Sequence, residues 1–224
     1  MKTRDSRRGG LWARRLLGWA MVPALLCATG CSLPISVKYS PLAATESLAT
    51  GKTPARVFVG RFTDTRTKTE CIGKMKDVFG GTKKKVVTSD ELVVILAEAT
   101  TDALRKSGLK ADLHSDRVAT EAIPAAEMKG YDLVVGGRLK NLDVTAQQSF
   151  NSVRLTARVV IDACVRRGAK TEWVGPIEGT TERREAFIQG TNLTDALDAA
   201  MQNCMRNLVR HLKASGTMQA SPAK

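Results

Sequence analysis

Residues 153–163 alternate with a period of two. Val153, Leu155, Ala157, Val159, Ile161 and Ala163 stand against Arg154, Thr156, Arg158 and Asp162. Successive side chains of a strand point to opposite faces, so this run is a strand with one face in a core. The chain is thereby committed to a sheet with a covered face. Tyr131 to Val144 is a second strand, with Leu133, Val135 and Leu139 on one face. Arg166-Arg167-Gly168-Ala169 forms a turn, and Thr171 to Ile188 continues as a third strand, irregular at Gly175-Pro176. Consecutive strands with short connections predict an antiparallel meander.

The cover comes from two helices. Thr88-Ser89-Asp90-Glu91 has capping-box spacing. Leu92, Ile95, Leu96, Ala99, Ala103 and Leu104 follow at helical spacing, and Gly108 supplies the stop. Thr191-Asn192 opens the second, whose stripe is Leu193, Leu197, Ala200, Met201, Cys204, Leu208 and Leu212. Upstream, Val57 to Phe62 is a first strand and Leu109 to His114 a short one. Asp116 to Lys129 reads as a weaker helix interrupted at Pro124. The expected fold class is α+β. It has a single, mainly antiparallel sheet of about five strands, with helices near 90–107 and 192–213 packed on one face. Leu96, Leu197 and Leu208 are expected in the core.

The first thirty residues have a different logic. Lys2, Arg4, Arg7, Arg8, Arg14 and Arg15 stand against Asp5 alone, and Leu16 to Gly30 carries no charge. An apolar run of 15 residues is too short to span a bilayer core as a helix and fits a signal-peptide core. It ends in Ala28-Thr29-Gly30-Cys31, small residues before a cysteine, as a lipoprotein signal peptidase accepts; the usual leucine is replaced by Ala28. Residues 1–30 are therefore read as a lipoprotein signal peptide, with Cys31 the acylated residue. Arg14-Arg15 leaves both the general secretory and the twin-arginine route open. Several acyl chains anchor a protein stably where one does not. Ser32 stands in place of the aspartate that retains lipoproteins at the inner membrane. The expectation is thus the outer membrane, facing the periplasm, with the inner membrane as the alternative. Residues 31–54 are expected to be the lipidated N-terminus and a flexible tether, 55–213 the α+β periplasmic domain, and 214–224 a disordered tail.

Export reinterprets the charge. Without the six cations and one anion of residues 1–30, the formal charge falls from +13 to +8. A periplasmic address makes nucleic acid an unsuitable partner and anionic lipid or lipopolysaccharide a suitable one. Most of that charge lies in residues 66–85. Arg66, Lys68, Lys74, Lys76, Lys83, Lys84 and Lys85 stand there against Glu70 and Asp77, with Gly73 and Gly80-Gly81 between. This stretch is expected to be a long basic loop contacting an anionic ligand or simply solvated. Its spacing is not that of a P-loop.

Cys71, Cys164 and Cys204 remain after Cys27 and Cys31 are accounted for. Cys71–Cys164 is a candidate disulfide pinning the basic loop to the sheet, Cys164–Cys204 an alternative, and Cys204 alone a small buried hydrophobe. No C-x-x-C pair, G-x-S-x-G or H-E-x-x-H is present, and the histidines, His114 and His211, are isolated. No catalytic residue, metal site or cofactor is implied.

Several stretches carry a family resemblance. They are Lys85-Val86-Val87-Thr88-Ser89-Asp90-Glu91-Leu92, Arg105-Lys106-Ser107-Gly108-Leu109, Ile177-Glu178-Gly179 and Asn192-Leu193-Thr194-Asp195-Ala196-Leu197. Across residues 56–212 the chain resembles the YajG-type bacterial lipoproteins, a largely uncharacterised envelope family, with a longer basic loop. A looser likeness extends to the α/β domains at the start of TolB and in CsgG. The resemblance implies an envelope lipoprotein and supplies no activity. Two readings follow: a non-enzymatic binding or structural module whose partner is an envelope protein or anionic lipid, or an auxiliary subunit of an envelope transport or assembly machine.

Overall fold

The structure is a computed structural model that describes residues 32–49, 54–118 and 128–216. Its elements run β1 (Ser32–Pro34), β2 (Arg56–Arg61), β3 (Thr63–Asp64), β4 (Gly73–Lys76), β5 (Thr82–Val87), α1 (Leu92–Lys106), β6 (Lys110–Val118), β7 (Leu133–Gln148), β8 (Val153–Arg167), β9 (Lys170–Glu185) and α2 (Gly190–Ala214). The nine strands form one mixed sheet.

The expected five-stranded, mainly antiparallel sheet is overturned. The meander over β7, β8 and β9 is antiparallel, as its short turns require. β2, β3 and β4, however, lie end to end along the other edge of β7, all parallel to it. β6 lies parallel outside β2, β5 antiparallel outside β4, and β1 parallel outside β5. Periodicity reports which face a residue occupies and not the direction of its neighbour. The chain leaves β2, passes through α1 and returns in β6, the crossover that parallel pairing needs.

Both helices lie on one face. Leu96, Leu197 and Leu208 are fully buried in a core shared by α1, α2 and the inward residues of β7 and β8. The opposite face carries a small cluster, Phe58, Met128 and Val134, with Tyr131 packed against it. α1 starts later than its capping-box signal suggests: its N-cap is Glu91, without a side-chain cap. The capping box is instead at α2, between Gln189 and Asn192. Of the expected weaker helix over 116–129, residues 116–118 belong to β6 and 128–129 to a turn, while 119–127 lie outside the described residues.

The expected tether is the largest departure. Ile35, Val37, Leu42 and Leu48 are buried in the main core. The backbone between them is fastened to both helices. Asp90 accepts the Val37 N–H, Thr194 Oγ1 donates to the Ser36 carbonyl, and Asp198 accepts the Ser40 N–H at 2.7 Å. Further along, Lys106 Nζ donates to the Leu42 carbonyl at 2.6 Å and Leu48 N–H to the Ser107 carbonyl at 2.8 Å. Residues 35–48 are thus a strap over α1 and α2. The Ser, Ala and Thr composition that suggested a linker hides four apolar residues spaced for occasional insertion.

Gly179 explains one of the resemblance motifs. A Cβ there would lie 2.1 Å from the Ala200 carbonyl oxygen and 2.2 Å from the Cys204 nitrogen, both backbone atoms of α2. Gly179→Ala must push α2 off β9 and is expected to destabilise by about 3 kcal/mol, measured by denaturant unfolding. The strap gives a second test. The Val37 N–H, followed by a Thr88 hydroxyl hydrogen bond, holds the Asp90 carboxyl below its ordinary range against the opposing effect of burial. That contribution is present above the unfolded carboxyl value of about 4 and is lost as pH falls through the lower folded value. Asp90→Ala should lower the protection of the Val37 amide against exchange at neutral pH, and acidification below about pH 4 should lower that protection, relative to the intrinsic rate at the same pH, in the unaltered chain.

Candidate functional site

The basic stretch is a hairpin and not a long loop. Lysine-rich runs have weak strand propensity, but an outer strand tolerates them because both faces reach water. In the β4–β5 ladder Lys74 lies opposite Lys85 and Met75 opposite Lys84. Strand alternation then places Lys74, Lys83 and Lys85 on one face and Lys84 on the other. Lys68, Lys74, Lys83, Lys84 and Lys85 are exposed and Lys76 half-buried. Arg66 is diverted from the set. Its Nε and Nη2 form a two-pronged pair with Asp64, at 3.0 and 2.7 Å, and its side chain is only 7 % exposed. The Arg66 guanidinium holds the Asp64 carboxyl below its usual range, against the opposing effect of burial. The candidate anion surface is therefore a lysine hairpin without Arg66.

The turn of that hairpin is closed from within. Asp77 Oδ1 accepts the N–H groups of Phe79 and Gly81 at 2.9 and 2.8 Å, and Gly80 takes φ +86°. Phe79, held outward, is 92 % exposed.

Register places two more turns beside this one. Lys76 lies opposite Gln147 of β7, and Gln147 Nε2 donates to the Asp77 carbonyl. Gln148 pairs with Val153 across the β7–β8 turn, and Val153 with Glu185 at the end of β9. The β4–β5 turn, the β7–β8 turn and the β9–α2 link therefore emerge from one end of the sheet. Phe150 is 91 % exposed in the second and Phe187 62 % exposed in the third. A hollow of about 420 Å³ lies between them, lined by 148–153 and 186–188. Among the described residues the remaining exposed large hydrophobe is Val174, opposite Cys164 and toward the other end. Sequence reasoning passed over these phenylalanines. For Phe79 and Phe150 the signal is a large apolar residue among turn residues such as Asp, Gly, Ser and Asn; Phe187, between Ala186 and Ile188, carries no such signal.

Ser32 joins the same group. β1 runs parallel to β5 with Ser32 opposite Lys85, so the N-terminal end of β1 points toward the turn end. Cys31 lies outside the described residues, one peptide unit, about 3.8 Å between Cα atoms, before Ser32.

The candidate disulfide does not form. Cys71 precedes Ile72, which bonds to Val144 of β7, whereas Cys164 lies opposite Gly136. About six residues of β7 separate the two positions, roughly 20 Å, against the 7 Å limit for bridged Cα atoms. Cys204 is buried, donates weakly to the Ile177 carbonyl at 3.7 Å, and has its thiol pushed up to about 12, chiefly by burial. It packs as a small hydrophobe and is not a nucleophile. His114 stacks on Phe58 at 4.1 Å and shares a hydrogen bond of 2.9 Å with the Tyr131 hydroxyl; His211 stacks on Trp173. Among the described residues no three metal-ligating side chains converge.

No protein-family profile matches the chain, and no curated protein matches it in sequence. Among solved structures, its fold is similar to that of a Xanthomonas campestris protein of the family DUF330, at 10% identity and a TM-score of 0.51, covering 83% of this chain and 96% of that one. A hypothetical protein of Chlamydia trachomatis is 11% identical over 75% of this chain and 100% of its own, with a TM-score of 0.44. A Helicobacter pylori protein described as a neuraminyllactose-binding hemagglutinin homolog is 10% identical over 81% of this chain and 91% of its own, with a TM-score of 0.41. The first likeness is one of fold alone, to a bacterial family of uncharacterised function; the other two carry no argument.

Since no Cys71–Cys164 bond forms, adding reductant to the folded protein is expected to leave its thermal midpoint unchanged. A fall of many degrees would reveal a disulfide, which typically contributes about 2–4 kcal/mol.

Proposed function

We propose that the chain is an acylated periplasmic lipoprotein of the outer membrane, acting as a non-enzymatic binding or structural module of the cell envelope, of the kind the YajG resemblance implies. One observation carries the reading. The residue after the candidate acylation site, Ser32, opens a strand hydrogen-bonded beside a lysine-rich hairpin, so that a lipid on Cys31 would hold the folded body directly at a membrane surface. The composition of residues 1–31 supplies the export signal and the small-residue approach to the cysteine. Ser32, in place of aspartate, favours the outer membrane. The buried thiol of Cys204 and the ring-stacked histidines support a binding role over a chemical one.

The test is Cys31→Ala in cells producing the full chain, followed by fatty-acid labelling and fractionation. The unaltered protein is expected to take up label and stay with the membranes. The variant should lose the label. Label on the variant, or none on the unaltered protein, overturns the reading.

A further inference from the structure

The turn end of the sheet carries features that the anchoring role alone does not require. Phe79, Phe150 and Phe187 come from three separate connections of the chain. Each connection is satisfied by its own polar groups: Asp77 in the first, the Ser149 N–H to Ser152 carbonyl bond in the second, the Gln189–Asn192 box in the third. The aromatic rings therefore contribute nothing to closing the turns. Singly exposed hydrophobes are ordinary; three gathered at one end of a sheet are not scattered.

We propose that this end is a docking surface for a lipid bilayer, with the three phenylalanines entering the interface and the lysine hairpin resting on anionic headgroups. The proposal rests on the anchoring reading for the source of the membrane, and adds which face of the body meets it. β4, β7, β8 and β9 are neighbours in the ladder, so at about 4.8 Å per strand the three rings span a row of roughly 15 Å. A flat surface can meet all three at once. The N-terminal end of β1, one residue after Cys31, points toward that same end. Charge agrees. Lys83, Lys84 and Lys85 on β5 and Arg183 and Arg184 near the end of β9 are exposed there. Of the nearby acids, Asp77 accepts turn N–H groups, Glu182 pairs with Arg154, and Glu185, opposite Val153, stands against the five cations. Aromatic tips with flanking cations are the composition of an interfacial membrane contact.

The test uses the full gene product, purified in acylated form from producing cells and reconstituted in vesicles of phosphatidylcholine alone or mixed with phosphatidylglycerol. Phe79→Trp, Phe150→Trp and Phe187→Trp are each measured with lipids brominated on the acyl chains. Trp173, near the other end of β9, is the internal reference. Each new tryptophan is expected to lose about half its emission, as burial roughly 5–10 Å deep implies, while Trp173 is unaffected. Changing Lys83, Lys84 and Lys85 to Ser should reduce quenching in the mixed vesicles and leave it unchanged in phosphatidylcholine. No quenching of any of the three overturns the proposal. So does shielding of the tryptophans from a soluble quencher only when solubilised envelope protein is added, which would make the occupant a protein. Mass measurement of Cys31 separates the two readings: without acyl chains the anchoring role falls, and quenching on added vesicles still decides the docking surface.

Discussion

Everything in this fold is referred to β7. Its sixteen residues take β8 along one edge for their full length and β2, β3 and β4 in succession along the other. No other strand pairs with so many others. The strand is long because its inward residues, Leu133, Val135, Leu139, Leu142, Val144 and Ala146, keep the core face occupied from end to end, with one register shift between Leu139 and Asn141. Two consequences follow from that length. Pieces of chain too short to be stable by themselves, such as the two-residue β3, are held by an existing template. The turns at its far end are also brought level, although they come from parts of the sequence a hundred residues apart.

What could be read in advance divides along the same line. The alternation of β8 and the stripes of both helices are local patterns with one burial solution each, and residues such as Leu96 and Leu197 lie where those patterns put them. Pairing direction has no local pattern of that kind. It left one trace: Val57-Phe58-Val59-Gly60 is buried on both faces, as a central parallel strand is, and does not alternate. The Lys74–Lys85 hairpin hid behind its charge, because lysines on an outer strand look like a loop when only composition is weighed. Ser32–Pro34 has no signal of its own, since it is a strand only because β5 offers it an open edge.

The candidate site was legible in part for related reasons. Charge is additive along a sequence, so the focus of lysines within 66–85 was visible. Geometry is not additive. Arg66 looked like a member of that focus and is bound to Asp64, two residues away, through contacts that its backbone bend creates. The Cys71–Cys164 pairing failed for the converse reason: both residues touch the same long strand, at positions several turns of the pleat apart. The three phenylalanines are far from one another in sequence and meet only because three strand registers coincide.

The strap has a mechanical meaning. Tension on the chain ahead of Ser32 acts along the axis of β1, which lies parallel to β5 and runs away from the turn end. Such a load is applied in shear: the hydrogen bonds of the short ladder, and behind them the contacts of Val37, Ser40, Leu42 and Leu48 with the helices, resist together and do not open one after another. A force on Ser32 is thereby spread into α1 and α2 before any part of the sheet is peeled.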